Sequence, residues 1–147
     1  MKSNEHVTSL FNVFDEANYL LMVISFEGET NLKEYLELNP LLPVENASKN
    51  NFKIKKKRLI AYYIARALCR CHSLGVVHRD IKLENIMITE KGNIRLIDFG
   101  YGAILKNSTD RFIRYCGTPY YMPPEIILKK EYDGRLVLSL IIKREEN

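Results

Sequence analysis

The sequence predicts an α+β fold in which short antiparallel hairpins accompany a mostly helical remainder. Short apolar runs occur in two pairs, and a brief polar turn separates the members of each pair, which indicates two hairpins. A helical periodicity sustained from residue 59 to residue 74 predicts one long helix. With 147 residues the chain is one domain by length, and a hydrophobic fraction of 46% is enough to form a core.

The first pair of apolar runs comprises residues 7–14 and 19–24, joined by the polar residues 15–18. This pattern predicts the first hairpin. The next element is a short helix from Thr30 to Leu38, which Thr30 or Asn31 caps and which stops before Pro40.

Residues 39–58 differ in composition from their surroundings. The part from residue 46 onward holds three asparagines, no acid and a series of basic residues, namely Lys49, Lys53, Lys55, Lys56, Lys57 and Arg58. We interpret the stretch as a mobile insertion. Such a run of charges usually indicates a solvated loop, and the alternative is a docking surface for an acidic partner.

Leu59 to Leu74 is the clearest predicted helix, and Gly75 is a fitting stop. Its apolar residues recur at helical spacing: Ile60, Ile64, Ala67, Leu68, Cys71 and Leu74. The helix contains Cys69-Arg70-Cys71-His72, but no second ligand pair follows at a zinc-site spacing. We therefore expect buried structural cysteine rather than a metal site.

Residues 86–89 and 94–97 form the second predicted hairpin, around the turn 90–93. Polar residues that could take part in catalysis or metal binding flank this hairpin on both sides, with Asp80 to Asn85 before it and Asp98 after it. A rigid pair of strands between the two groups would fix the distance between their side chains.

These flanking residues match what phosphoryl transfer to a hydroxyl requires. Asp80 would orient the hydroxyl, and Lys82 would neutralise charge on the phosphoryl group. Asn85 and Asp98 would supply hard oxygen ligands to magnesium. His78 and Phe99 are expected to be packing residues that hold the two loops in register.

The run His78-Arg79-Asp80-Ile81-Lys82-Leu83-Glu84-Asn85, followed by Asp98-Phe99-Gly100, resembles the signature of the protein kinases. The later block from Cys116 to Glu125 resembles the substrate-docking loop of that family, with Pro123 in place of alanine in its A-P-E triplet. The resemblance implies a serine/threonine kinase, because Lys82 stands two residues after Asp80. It also implies that Thr118 contacts Asp80 and Lys82, and that Glu84 meets a basic residue of the peptide.

The resemblance extends from about residue 5 to about residue 137 and implies ATP and Mg²⁺ as cofactors. Met22 or Val23 would guard the back of the adenine pocket, and Ser25 to Gly28 would form the hinge between the two lobes. Met87 and Ile97 would form the floor of the nucleotide pocket.

The implied organisation is a protein-kinase-like fold with an incomplete small lobe. Residues 1–24 would be two strands of the small lobe, 25–137 a partial, mostly helical large lobe with the basic insertion 39–58, and 138–147 a divergent tail. No G-x-G-x-x-G occurs, and no V-A-x-K strand precedes the first hairpin. We therefore expect a truncated product or an incomplete gene prediction, with little or no activity and marginal stability. Glu125 is expected to lack the arginine that pairs with it in the family.

Regulation is also expected to depart from the family. In many kinases the residue two before Cys116 is a threonine whose phosphate Arg79 holds, whereas Arg114 stands there in this chain. We expect any activating phosphorylation to use Ser108 or Thr109, or not to occur.

A non-catalytic kinase-like binding module is the competing interpretation, since the lysine strand is missing. A small-molecule kinase is a third interpretation. The block from Cys116 to Glu125 disfavours it, because that block resembles a docking loop for protein substrates. No apolar run approaches the ~18 residues that span a membrane, and the net charge of +4 does not indicate nucleic acid. The polar start of the chain and its three cysteines favour the cytoplasm or nucleus. The family resemblance implies ATP and a protein bearing serine or threonine as partners.

Overall fold

A computed structural model describes residues 5–39, 47–89 and 92–136. Strands and helices both occur there, as an α+β fold requires. The strands are β1 (Leu10–Glu16), β2 (Tyr19–Ile24), β3 (Thr30–Asn31), β4 (Val76–Val77), β5 (Ile86–Ile88), β6 (Ile94–Leu96) and β7 (Ala103–Ile104). The helices are α1 (Leu32–Leu38), α2 (Ala47–Ser73) and α3 (Pro124–Ile127), with 3₁₀ turns at Leu83–Asn85 and Pro119–Tyr121.

The chain forms two compact units. The first comprises Met1–Ala67 and Ile86–Ile97, and the second comprises Leu68–Asn85 and Asp98–Asn147. The predicted boundaries at residues 24 and 137 and the division into lobes stay predictions. No helix in the described part of the chain combines the length and the apolar character needed to cross a membrane.

In the first unit, β1 and β2 form the predicted antiparallel hairpin, with Val13 opposite Met22. The prediction began the first strand at residue 7, but Val7 makes a parallel bridge to Leu96 instead. The Thr8 N–H donates to the Leu96 carbonyl at 3.0 Å, so this part of the chain is paired with β6 and not with β2. Every residue of the hairpin is exposed, including its apolar side chains.

The short helix α1 is confirmed, and its cap is Asn31. The Asn31 side chain accepts from the Glu34 N–H at 3.0 Å, and the Glu34 carboxylate accepts from the Asn31 N–H at 3.1 Å. This reciprocal capping box satisfies two donors that a helix start leaves open. Thr30 precedes the cap in β3, which pairs with β5.

Helix α2 begins at Ala47, so the interpretation of residues 47–58 as a loop is wrong, while their assignment to an insertion stays a prediction. Neither glycine nor proline occurs between Ala47 and Leu74, and lysine is a good helix former. Residues 40–46 of the predicted insertion lie outside the described residues. The predicted apolar face is buried at Ile64, Ala67, Leu68 and Cys71, but Leu74 lies beyond the helix end and is exposed.

The second hairpin is confirmed, with β5 antiparallel to β6 in the first unit. Ile86, Ile94 and Leu96 are almost fully buried and anchor it in the core. The Thr89 N–H donates to the Asn93 carbonyl at 2.9 Å and closes the turn.

The second unit pairs β4 with β7 and packs Met122, Ile126 and Tyr132 into a buried cluster with Phe112 against it. Cys71 and Cys116 are buried, but Cys69 is exposed, so the expected burial is wrong for Cys69, because it lies on another side of α2 than Cys71. All three cysteines are free thiols. Among the described residues no group of three His, Cys, Asp or Glu side chains could hold a metal ion.

Candidate active site

The loop after β4 is fixed by the packing of His78 against Phe99. Their ring centroids are 4.5 Å apart, and His78 is 1% exposed. The Asp80 N–H donates to Nδ1 of His78 at 3.2 Å. The predicted packing role of the two rings is confirmed, and it brings the residues around Asp98 next to those around Asp80.

Asp80 is buried, and its carboxylate contacts Thr118, Lys82 and Asn85. Its Oδ1 accepts from the main-chain N–H and from the hydroxyl of Thr118, each at 2.8 Å. Its Oδ2 lies 3.0 Å from Nζ of Lys82, and the same Nζ donates to the Thr118 hydroxyl at 3.0 Å. The three side chains therefore form a closed triangle within the second unit.

The triangle keeps both ionisable groups charged. Burial acts to raise the pKa of Asp80, but hydrogen bonds from Lys82 and Thr118 and the charge of Lys82 outweigh it, so the pKa lies below its ordinary value. Burial acts to lower the pKa of Lys82, but its hydrogen bond and ion pair with Asp80 raise it. A carboxylate beside an ammonium group is the result at neutral pH.

Asn85 and Asp98 carry the oxygen atoms predicted to hold a cation. Nδ2 of Asn85 donates to the Asp80 carbonyl at 3.0 Å and to its carboxylate at 3.3 Å, which leaves the amide oxygen for a ligand. Asp98 is exposed, and its Oδ1 accepts from the Gly100 N–H at 3.1 Å. One carboxylate and one amide oxygen are the donors that Mg²⁺ takes when phosphate oxygens and water complete its shell.

Two residues of these loops have left-handed backbone geometry, Arg79 with φ 66° and Asp98 with φ 62°. Non-glycine residues adopt this region at a cost of about 1–3 kcal/mol, and such residues cluster at functional sites. Here the left-handed residues stand directly before Asp80 and two residues before Gly100.

Arg79, which holds a phosphate in many kinases, binds main-chain oxygens in this structure. It donates through Nε to the Tyr101 carbonyl at 2.6 Å and through Nη2 to the Gly102 carbonyl at 3.4 Å. Its guanidinium lies 4.7 Å from the Phe112 ring centroid. Ser108 and Thr109 are exposed.

Glu84 contacts Tyr121, a residue of the block Cys116–Glu125 for which the sequence predicted no role. The Tyr121 hydroxyl donates to Oε2 of Glu84 at 3.4 Å. Burial and the charge of Glu84 raise the pKa of Tyr121. The contact joins the turn Leu83–Asn85 to the turn Pro119–Tyr121, a pairing for which the sequence carries no periodic signal. The Glu125 carboxylate makes no ion pair with any described residue.

The four predicted nucleotide-pocket residues lie in the first unit. Met22 is 61% exposed on β2, and Ser25 follows that strand, where its hydroxyl accepts from the Ser9 N–H at 2.8 Å and donates to Glu27. Met87 on β5 pairs with Arg95, and Ile97 directly follows β6. A cavity of about 610 Å³ in this unit is lined by other residues, namely Glu5, His6, Phe26, Glu27, Gly28, Tyr63, Arg66, Thr89, Asn93 and Arg95.

Residues 1–137 match the protein kinase domain. The chain is 32% identical over 133 residues to NUAK family SNF1-like kinase 2 of Rattus norvegicus, covering 90% of this chain and 19% of that protein. It is 49% identical over 70 residues to probable serine/threonine-protein kinase MARK-B of Dictyostelium discoideum, covering 48% of this chain and 10% of that protein. Serine/threonine-protein kinase CLA4 of Candida albicans is 31% identical over 141 residues, covering 92% of this chain and 13% of CLA4.

The chain thus spans at most about a fifth of the length of these relatives. The domain match nevertheless covers nearly the whole chain, and two of the relatives carry serine/threonine-protein kinase in their names. By this evidence the chain belongs to the eukaryotic protein kinase superfamily, with a kinase-like fold and among the serine/threonine kinases.

Proposed function

We propose that this chain carries the catalytic loop of a serine/threonine protein kinase, which transfers the γ-phosphate of ATP to a serine or threonine hydroxyl of a protein. The observation that carries the proposal is the buried Asp80 carboxylate, held between Thr118 and Lys82 at 2.8–3.0 Å. A fixed carboxylate beside a fixed cation is what in-line transfer to a hydroxyl needs.

In this mechanism Asp80 accepts a hydrogen bond from the substrate hydroxyl and orients its oxygen towards the phosphorus. Because the pKa of Asp80 lies below its ordinary value, the carboxylate is ionised and able to accept at neutral pH. Lys82 keeps its charge through Asp80 and offers that charge to the transferring phosphoryl group. Catalysis then comes from positioning and electrostatic stabilisation rather than from a covalent intermediate.

Asn85 and Asp98 are the residues that would hold Mg²⁺ with ATP, through the amide oxygen of one and the carboxylate of the other. The bound metal ion would neutralise charge on the phosphates. The left-handed backbone at Asp98 and the N–H of Gly100 fix the direction of that carboxylate.

Thr118 and Glu84 are assigned to the protein substrate. The Thr118 hydroxyl lies against both Asp80 and Lys82, which favours a serine or threonine acceptor beside it. Glu84 would accept a basic residue of the peptide, with Tyr121 holding its carboxylate.

Met22, Ser25, Met87 and Ile97 are assigned to the nucleotide base. Met87 and Ile97 are half-buried apolar side chains and suit that role, since a purine binds apolar surface with a few polar contacts. Met22 is exposed on β2, and Ser25 would supply a polar contact. The division into a small-lobe hairpin, 1–24, and a large lobe, 25–137, belongs to the same proposal.

The test is transfer of labelled γ-phosphate from Mg²⁺-ATP to serine and threonine peptides. We expect slow transfer, because the chain has neither G-x-G-x-x-G nor the V-A-x-K lysine. Asp80→Asn should reduce the transfer by orders of magnitude, and Glu131→Gln, an exposed acid far from Asp80 in sequence, should leave it unchanged. Transfer that persists in Asp80→Asn contradicts the assignment. A chain that transfers no phosphate and binds no Mg²⁺-ATP supports the competing binding module.

A further inference from the structure

The segment that ends at Thr118 is held by four consecutive residues, Tyr132–Arg135, which we term the anchor. The Phe112 N–H donates to the Tyr132 carbonyl and the Tyr132 N–H donates to the Phe112 carbonyl, each at 2.9 Å. A Cβ at Gly134 would lie 3.0 Å from the Phe112 ring, so the glycine permits the close approach. These contacts fix the middle of the segment Asp98–Thr118 to the anchor.

The Tyr132 side chain fixes the end of that segment. Its hydroxyl donates to the Arg114 carbonyl at 3.1 Å and lies 3.4 Å from Sγ of Cys116. Tyr132 is 3% exposed, and burial together with Cys116 raises the pKa of its hydroxyl to about 12. The hydroxyl therefore stays a donor at all physiological pH values. Thr118, which bonds Asp80, is only two residues beyond Cys116.

Asp133 lies between two arginines, Arg135 of the anchor and Arg111 of the segment. Its carboxylate accepts from Nε of Arg135 at 2.8 Å and from Nη2 at 2.6 Å, and it lies 3.7 Å from Nη1 of Arg111. Nη2 of Arg135 also donates to the Ser108 carbonyl at 2.8 Å. The bidentate Asp133–Arg135 pair lies within the anchor and fixes both side chains. The Arg135–Ser108 hydrogen bond and the Asp133–Arg111 ion pair then tie the exposed part of the segment to the anchor.

No phosphate is needed to engage Arg79. Its guanidinium already binds the carbonyls of Tyr101 and Gly102 and covers the ring of Phe112. The position two before Cys116 is Arg114, which cannot carry a phosphate.

We propose that Tyr132 and Asp133 are positioning residues that hold Asp98–Thr118 so that Thr118 meets Asp80 without phosphorylation of Ser108 or Thr109. The inference rests on the proposed function in one respect, the assignment of Thr118 and Asp80 to the substrate hydroxyl. The anchor itself is a claim about the order of the segment in the unmodified chain.

The test is amide hydrogen exchange of the full chain after phosphatase treatment, with mass spectrometry to verify that Ser108 and Thr109 are unmodified. The amides of Phe112 and Thr118 should be protected, because each donates a hydrogen bond that the anchor maintains. Asp133→Asn and Tyr132→Phe should each accelerate exchange at both amides about tenfold, the effect of losing a hydrogen bond to or from a fixed group.

Glu131→Gln is the matched control, since Glu131 is exposed and precedes the anchor directly. In this variant the amides of Phe112 and Thr118 should exchange at the same rates as in the parent. The amides of α2 report whether a variant is folded, and if Tyr132→Phe accelerates them too, Asp133→Asn decides the outcome. The proposal is overturned if the amides of Phe112 and Thr118 exchange at the parent's rates in Asp133→Asn. It is also overturned if Thr118 is unprotected in the unmodified chain and becomes protected on phosphorylation of Ser108 or Thr109.

This readout needs neither nucleotide nor turnover. If the anchor variants behave as expected while the chain fails to bind Mg²⁺-ATP, the proposed function fails and the anchor stands. If Mg²⁺-ATP binds and the amides of the variants match the parent, the anchor fails alone.

Discussion

Thr118 gives two hydrogen bonds to one oxygen of Asp80, one from its main chain and one from its hydroxyl, each at 2.8 Å across 38 positions of sequence. The contact joins the loop that would bind the peptide to the loop that would act on it. Lys82 closes the arrangement by donating to the same hydroxyl. In the proposed function Thr118 would recognise the acceptor residue, and the same side chain helps Lys82 to lower the pKa of Asp80.

Replacing Thr118 by valine removes the hydroxyl but keeps the shape of the side chain. We expect the pKa of Asp80 to rise, because one of the hydrogen bonds that lower it is lost. Loss of a bond to a charged acceptor should also destabilise the chain by about 1.5–3 kcal/mol. A pH titration of the ¹³C carboxyl signal and denaturant unfolding measure the two effects. Thr118→Ser, which keeps the hydroxyl, should behave like the parent, and an unchanged titration in Thr118→Val would show that the hydroxyl does not act on Asp80.

Acid should destabilise the second unit through Asp133. Hydrogen bonds from Arg135 lower the pKa of Asp133 to about 2, from an ordinary value of 3.8. Because the folded-state pKa is the lower one, the stabilisation is fully present above pH 3.8 and is lost as the pH falls towards 2. Asp133→Asn should flatten the fall of the unfolding free energy over that range. Denaturant unfolding at several pH values tests this, and parallel curves for parent and variant would speak against the Asp133–Arg135 pair.

Gly117→Ala should disturb the approach of Thr118 to Asp80. Gly117 has φ 107°, and a Cβ there would lie 2.8 Å from the Arg79 carbonyl oxygen. Gly92→Ala is the matched control, with φ 75° and no atom within 4 Å of its Cβ. The control should lower the free energy of unfolding by about 1–2 kcal/mol through backbone strain alone. Gly117→Ala should lower it further and should accelerate exchange of the Thr118 amide. Equal unfolding free energies for the two variants would mean that the clash is relieved without cost.

Local patterns in the sequence predict the secondary structure around the site. Both hairpins and the helix capped by Asn31 follow from apolar alternation and capping chemistry, which are properties of neighbouring residues. The helical part of residues 47–58 was missed, because its charge pattern indicated exposure while its lysines and its lack of glycine favour helix. There the run of charges indicated a loop, whereas helix propensity favoured a helix, and the backbone is helical.

Contacts between distant segments could be predicted only where a motif carries them. The motif resemblance predicted that Thr118 contacts Asp80 and Lys82, and the geometry agrees. The contacts of Tyr132 and Asp133 have no such motif, since tyrosine and aspartate are common surface residues. Their effect depends on the tertiary path of the chain, which brings residue 132 next to residue 112.

The central claim is that Asn85 and Asp98 hold a metal ion together with ATP, next to the Asp80 carboxylate. Paramagnetic Mn²⁺, which like Mg²⁺ prefers oxygen ligands, tests it through the NMR signals that it broadens. The account predicts selective broadening at the amides of Asn85 and Asp98 that increases with ATP, is weakened by Asp98→Asn and is unchanged by Asp15→Asn, an exposed control in β1. Equal broadening at Asp15 and Asp98, or a pattern that Asp98→Asn leaves unchanged, would contradict it.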